Sequence, residues 1–137
     1  MSNSAFKPTI CITDDDGVDR MIIKRALKSF KLSHSLAEAD GLESALEVEI
    51  SLKPDTFIID INLGVVSGFE IARKILAARP KNTTPHIIFM SGVVMDHEQK
   101  LALELTQYPI LKKPMNAVEN AEFAAAVQRF LGVSENR

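Results

Sequence analysis

The sequence predicts an α/β protein of the (βα)5 type, a doubly wound, five-stranded parallel sheet in the order 2-1-3-4-5 with helices on both faces. Three observations predict it. Short apolar runs alternate with longer amphipathic ones along the chain. The runs around Phe57-Ile58-Ile59 and Ile87-Ile88-Phe89-Met90 lack polar alternation, as in strands covered on both faces. Each main run closes on a chemically versatile residue: Asp14, Asp15 and Asp16 on the first, then Asp60, Ser91 and Lys113. In an open parallel sheet the strand ends meet at one crevice, where ligands bind, and right-handed crossovers leave few other topologies.

The elements follow in order. Residues 9–14 form a strand. Residues 17–31 form a helix whose inward face is Val18, Met21, Ile22, Ala26 and Phe30. Residues 34–38 are a weak strand. Residues 40–52 are a helix with Leu42, Ala45, Leu46 and Ile50 inward, Asp40 as N-cap and Glu43 completing a capping box. Pro54 stops it. Residues 56–60 are a strand, and 61–66 a loop. Residues 67–79 are a helix from Ser67 to Pro80, burying Phe69, Ala72, Ile75 and Leu76. A strand at 86–90, a helix at 94–107, a strand at 108–112 and a helix at 116–131 complete the chain, the last capped by Asn116 with Glu119 and ended by Gly132.

Composition bounds the function. A chain of 137 residues fits one domain, and 46% apolar with 25% charged residues is neither a disordered nor a membrane composition. A net charge of −2 argues against nucleic-acid binding, which demands a basic surface. The polar start lacks the apolar core of a signal peptide, and no apolar stretch reaches the ~20 residues of a membrane span. The lone Cys11 allows no internal disulfide or cysteine-type metal site, so a reduced, cytoplasmic setting is the simplest reading.

The crevice residues imply phosphorus chemistry. Carboxylates this close repel one another, and a hard cation such as Mg²⁺ relieves the conflict with oxygen ligands. Neither histidine nor cysteine joins the set, which argues against zinc or copper. A single aspartate at a strand end is adequately explained as a loop former or cap; the whole set in one register is not. Asp60, alone after an apolar strand, can attack phosphorus to give an acyl phosphate. Lys113 would place charge on the phosphoryl oxygens and Ser91 would donate a hydrogen bond. Lys113 precedes Pro114, where a cis bond is cheap and would help aim the lysine.

Ile12-Thr13-Asp14-Asp15-Asp16, the run from Asp60 to Gly68, Met90-Ser91-Gly92 and Lys113-Pro114 together resemble the response-regulator receiver domain, the phospho-accepting half of two-component signalling, with its CheY-like (flavodoxin-like) fold. The resemblance covers residues 8–132, leaving tails at 1–7 and 133–137 and no effector domain. It implies that Asp14, Asp15, Asp60 and the backbone carbonyl of Asn62 hold Mg²⁺, with Asp16 supporting. It implies that Asp60 takes a phosphoryl group from the phosphohistidine of a sensor histidine kinase or a histidine phosphotransfer protein. Ser91 and Lys113 then draw in, and the surface of the fourth helix, fifth strand and fifth helix changes for a downstream protein target. The implied protein is a signalling switch rather than an enzyme, acting without direct contact to nucleic acid or membrane. Val93, beside the phosphoryl group, cannot orient a water, which implies a long-lived phosphoryl group.

Three departures from the family pattern stand out. Gly64 replaces a usual proline and should make its loop more pliable. Ile110 replaces the usual switch aromatic; Tyr108 lies two residues earlier on the same strand face and is not its equivalent. Glu104-Leu105-Thr106 replaces a small turn, so the fourth helix ends differently or runs longer. Leu101, Leu103 and Leu105, and the two helix-five rows Phe123-Val127-Phe130 and Val118-Ala121-Ala125, admit two readings: ordinary core, or a face for a partner or a second copy.

A rival resemblance is to the haloacid-dehalogenase-type aspartyl phosphatases, in which Asp14 would be the nucleophile and Asp16 the acid/base. It lacks an acidic metal pair after Lys113 and leaves Asp60 without a role. Among the remaining polar residues, His86 reads as packed and His34 and His97 as surface. Lys7, Lys24, Arg25, Lys28 and Lys31 read as a solvated basic face, and Cys11 as core.

Overall fold

The computed structural model describes residues 8–29 and 34–132. The elements are β1 (Thr9–Thr13), α1 (Gly17–Leu27), β2 (Ser35–Ala39), α2 (Leu42–Leu52), β3 (Thr56–Asp60), β4 (Asn62–Leu63), β5 (Val66–Ser67), α3 (Gly68–Ala78), a 3₁₀ turn (Lys81–Thr83), β6 (His86–Ser91), α4 (Asp96–Thr106), β7 (Leu111–Lys112) and α5 (Ala117–Phe130). The main sheet is parallel, in the order β2-β1-β3-β6-β7. That is 2-1-3-4-5 once the short antiparallel β4–β5 pair is set aside.

Alternation along the buried strands builds two cores. Cys11, Phe57, Ile59, Ile87 and Phe89 face α2, α3 and α4, where they meet Ala45, Ile71, Ala72, Ile75 and Ala102. Ile10, Ile12, Ile58, Ile88 and Met90 face α1 and α5, meeting Ile23, Ala26, Leu27, Phe123 and Val127. Each fully buried isoleucine contributes ~2–3 kcal/mol, so these layers hold the strand register. Phe69 and Phe89 meet edge-to-face at 4.7 Å.

Register delivers the site residues. The amide of Asp14 donates to Ala39 O (3.0 Å), Ile61 N to Met90 O (3.0 Å) and Lys113 N to Ser91 O (2.9 Å). Each bond carries its ladder one step past the strand end, so Asp14, Asp60, Ser91 and Lys113 emerge side by side.

Several expectations need correction. In α1, Ala26 is buried as expected, but Val18 and Met21 are exposed, and Ile23 and Leu27 are buried in their place. The inward face is thus offset from the one read by spacing. Phe30, Lys31, Lys7 and the segments 1–7 and 133–137 lie outside the described residues. In α2, Ile50 is exposed and Glu49 takes the buried position, pairing with Arg79 through Nε–Oε2 at 2.6 Å and Nη2–Oε1 at 2.9 Å. Its N-cap is Gly41 rather than Asp40, and the capping side chain is Ser44 rather than Glu43, because Ser44 Oγ reaches the amides of Asp40 and Gly41. The expected loop at 61–66 contains the β4–β5 pair, turned at Gly64, whose φ of 77° no proline could adopt.

Helix α4 starts at Asp96 rather than 94, since Ser91 Oγ holds both backbone polar groups of Val93 in a turn. It ends at Thr106 with Gln107 in the left-handed region (φ 68°), and Thr106 Oγ1 accepts from Tyr108 N (3.1 Å). Strand β7 begins at Leu111 rather than 108. Pro109 has no amide to donate, and the Ile110 amide is taken by Gln99 Oε1 of α4 at 2.6 Å. No cis peptide occurs among the described residues, so Lys113–Pro114 is trans and the ladder bond aims the lysine without it. His86 is exposed rather than packed, and its Nδ1 lies 2.7 Å from Tyr108 Oη. The basic side of α1 is partly paired, as Arg20 and Lys24 both reach Glu38 of β2 at 2.8 Å.

Candidate functional site

The carboxyl ends of β1, β3, β6 and β7 open onto a cavity of about 520 Å³, lined among others by Asp15, Asp16, Asp19, Asp60, Asn62, Gly92 and Lys113. A slightly larger cleft of about 580 Å³ lies at the opposite end of the strands, lined by Pro8, Pro80, Pro85 and Leu131 among others. Size therefore does not mark the site; the convergence of charge does.

The structure brings Asp14, Asp15, Asp60, Asn62, Ser91 and Lys113 together at this end of the sheet. Asp14 and Asp60 are buried, while Asp15 is exposed. Oxygens of the three lie within 4.8 Å of one another. Asp60 Oδ1 accepts from the Asn62 amide (2.9 Å), which fixes the carboxylate on the turn after β3. Ser91 Oγ donates to Val93 O (2.7 Å) and accepts from Asn62 Nδ2 (3.4 Å). Lys113 Nζ lies 2.7 Å from Asp60 Oδ2 and 2.8 Å from Asp14 Oδ2. Asp16 is the N-cap of α1, accepting from the amides of Val18 and Asp19, and its own amide donates to Asp14 Oδ1. The cap engages Asp16 Oδ1, and the Asp16 amide helps fix Asp14.

The electrostatics suit the binding of a divalent cation. Burial pushes the Asp14 carboxyl above the usual carboxylate range, against the pull of Lys113 and the Asp16 amide, and the charge of Asp60 adds to the rise. Lys113 approaches Asp14 Oδ2 as an ion pair outside hydrogen-bond geometry, so this buried oxygen accepts no hydrogen bond. Burial alone would lower the pKa of Lys113. Its contacts with Asp14, Asp19 and Asp60 outweigh that and hold it above its ordinary value. A buried carboxylate oxygen without a donor, beside two more carboxylates, suits a hard, oxygen-seeking cation.

Sequence reasoning passed over Asp19. It stands in the first turn of α1, three residues after Asp16, with Oδ2 2.8 Å from Lys113 Nζ. Helical spacing could have placed it on the crevice side. Its partner, 94 residues away, needed the fold. Tyr108 is not positioned as a switch aromatic. Its hydroxyl is tied to Phe130 O (2.9 Å) and its ring stacks on Phe130 on the α1–α5 side, whereas Ile110 is buried on the opposite face.

The family model for the response regulator receiver domain matches residues 10–125. This chain belongs to that family. As a receiver domain it is part of two-component signalling, and the match does not extend to the haloacid-dehalogenase reading. It is similar to "Protein-glutamate methylesterase/protein-glutamine glutaminase 1" of Syntrophus aciditrophicus, 30% identical over 118 residues, covering 85% of this chain and 33% of that protein. It is also similar to "Sensory transduction protein LytT" of Bacillus anthracis, 32% identical over 107 residues, covering 78% of this chain and 42% of that one. The chain thus spans a third to two-fifths of these curated relatives. Among solved structures, a two-component response regulator from Clostridium difficile superposes with a TM-score of 0.73 at 26% identity, covering 93% of this chain and 98% of that one. The BeF3-activated DrrB receiver domain gives 0.73 at 23% identity, with coverage of 93% and 99%, a likeness of fold. No helix among the described residues is long and apolar enough to cross a membrane.

Proposed function

We propose that residues 8–132 act as a phosphoacceptor switch in which Asp60 receives a phosphoryl group from the phosphohistidine of a sensor histidine kinase or a histidine phosphotransfer protein. One observation carries this reading: Lys113 Nζ sits within 2.8 Å of both Asp14 and Asp60, at the edge of an oxygen cluster fit for a divalent cation.

The chemistry follows from that geometry. Asp60 is buried and held by the Asn62 amide, so one oxygen is presented to the crevice at little reorganisation cost. Attack forms an Oδ–P bond as the P–N bond to the donor imidazole breaks, and the imidazole leaves with a proton. Asp14, Asp15, Asp60 and the carbonyl of Asn62 would hold Mg²⁺, which supplies positive charge against the phosphoryl oxygens. Lys113 adds a second charge, and Ser91 gives up its bond to Val93 O to donate to the phosphoryl group. That exchange releases the turn before α4 and biases the surface of α4, β7 and α5. Gln99, bonded to the Ile110 amide, ties α4 to β7 and supports coupled movement there.

Exposed apolar residues support two contacts. Ile22 and Met115 line the crevice, and Val18 and Met21 are exposed on the same helix as Ile22, which suits the donor protein. Leu103 and Val118 are exposed on α4 and α5, which suits a downstream target or a second copy. The domain works in the cytoplasm as a signalling element that assists its own phosphorylation and dephosphorylation, without contacting nucleic acid or membrane.

Incubation with acetyl phosphate and Mg²⁺, followed by intact-mass spectrometry, tests this. Wild type should gain one phosphoryl group and Asp60→Asn none. No adduct on wild type, or equal labelling of both, sinks the proposal.

A further inference from the structure

Lys113 has a carboxylate partner that the cation cluster does not contain. Asp19 Oδ2 is as close to its Nζ, at 2.8 Å, as Asp14 Oδ2 is. An ammonium has three protons, and Asp14, Asp19 and Asp60 surround it. Asp19 belongs to α1 and lies outside the convergent trio, with about a third of its side chain exposed (34%). The neighbouring charges are otherwise engaged. Asp16 caps α1, and Arg20 turns away to Glu38 Oε1 (2.8 Å) and the carbonyl of Asp14 (2.6 Å).

A cation held by Asp14 and Asp60 would compete with Lys113 for their oxygens, whereas Asp19 lies outside that trio and would keep its contact. Asp19 pulls the ammonium toward α1 while a phosphoryl group on Asp60 pulls it into the crevice. We propose that Asp19 is a positioning residue: it holds Lys113 on α1 in the resting domain and competes with the phosphoryl group for the ammonium, so that it limits how firmly the phosphoryl group is retained. The inference rests on the proposed role of Asp60.

Asp19→Asn removes the charge and keeps the shape. Beryllofluoride, a phosphoryl analogue, is titrated into the Mg²⁺-loaded domain by calorimetry, alongside Mg²⁺ alone and thermal melting. The asparagine variant should bind beryllofluoride about two- to fivefold more tightly, the upper range of a part-exposed ion pair. The acyl phosphate made with acetyl phosphate should persist longer by a similar factor, Mg²⁺ affinity alone should change less than about twofold, and Asp19→Glu should stay near wild type.

A residue that merely props Lys113 in place would give the opposite sign, with weaker binding restored by glutamate. Unchanged or weaker beryllofluoride binding by folded Asp19→Asn therefore overturns the inference. If that variant melts below the assay temperature, Asp19→Ser is read by the same criterion. A wild type that takes neither beryllofluoride nor acetyl phosphate overturns the proposed function and this inference together; a wild type that takes both, with an insensitive asparagine variant, overturns this inference alone.

Discussion

Replacing Gly68 with alanine probes how the fold aims Asp60. Gly68 is the buried first residue of α3, and its amide donates to Ile61 O at 3.1 Å. A Cβ there would fall on the carbonyl oxygen of Asp60, 2.8 Å from Ile61 Cα and 2.9 Å from the Asp60 carbonyl carbon. Its φ is not left-handed, so the conflict is steric. Helix propensity alone would favour alanine by up to ~1 kcal/mol. Sterics oppose it. Carbon atoms settle at ~3.5–4.0 Å and the Asp60 carbonyl oxygen is nearer still, so α3 or the Asp60–Ile61 backbone must move by about 1 Å or more. Overpacking of this kind costs ~1–3 kcal/mol, which outweighs the propensity gain.

The larger effect is on chemistry. The carboxylates converge within 4.8 Å, and a displacement near 1 Å can cost ~100-fold in rate. We expect the alanine variant to melt ~3–8 °C lower and to be labelled by acetyl phosphate at least ~10-fold more slowly. Thermal melting and time-resolved intact mass read both. A variant that is labelled at the wild-type rate, or that melts higher, refutes the reasoning.

Arg79→Ala strands the buried carboxylate of Glu49, whose side chain is 3% exposed. It should cost ~3–5 kcal/mol in chemical denaturation yet leave acetyl phosphate labelling intact at low temperature. Asp14→Asn should raise the melting temperature of the metal-free protein near neutral pH. Burial holds the folded carboxyl above its unfolded value, so the folded state binds the extra proton in that window and stability falls as pH rises through it. Melting curves from mildly acidic to neutral pH should show that slope in wild type and not in the variant, and Mg²⁺ should stabilise wild type only. Val93→Glu places a carboxylate on the exposed residue after Gly92, where it can orient water, and should shorten the acyl-phosphate lifetime by about tenfold. An unchanged decay, followed by mass spectrometry, would show that position 93 does not govern hydrolysis.

The fold was legible because strand burial leaves its mark on single residues. Phe57-Ile58-Ile59 and Ile87-Ile88-Phe89-Met90 demand cover on both faces, and the two cores supply it. The residues of the crevice were legible because each closes a strand, and a parallel sheet collects strand ends. Helix faces were less so. Ile50 and Val18 are apolar and exposed, while Glu49 is charged and buried, because one bidentate arginine outweighs local hydropathy. Strand β7 was overdrawn because the side chain of Gln99 captures the Ile110 amide, a bond no local pattern encodes.

The sequence by itself determined the α/β alternation, the acidic run, the acceptor aspartate and the lysine, since each is a matter of residue type at the end of a local run. Only the tertiary structure decided that Asp19 shares Lys113, that Arg79 pairs with the buried Glu49, and that Asn62 reaches Ser91. Those facts depend on distances between segments far apart in the chain. Such distances arise from sheet register and helix packing, which no stretch of sequence carries alone.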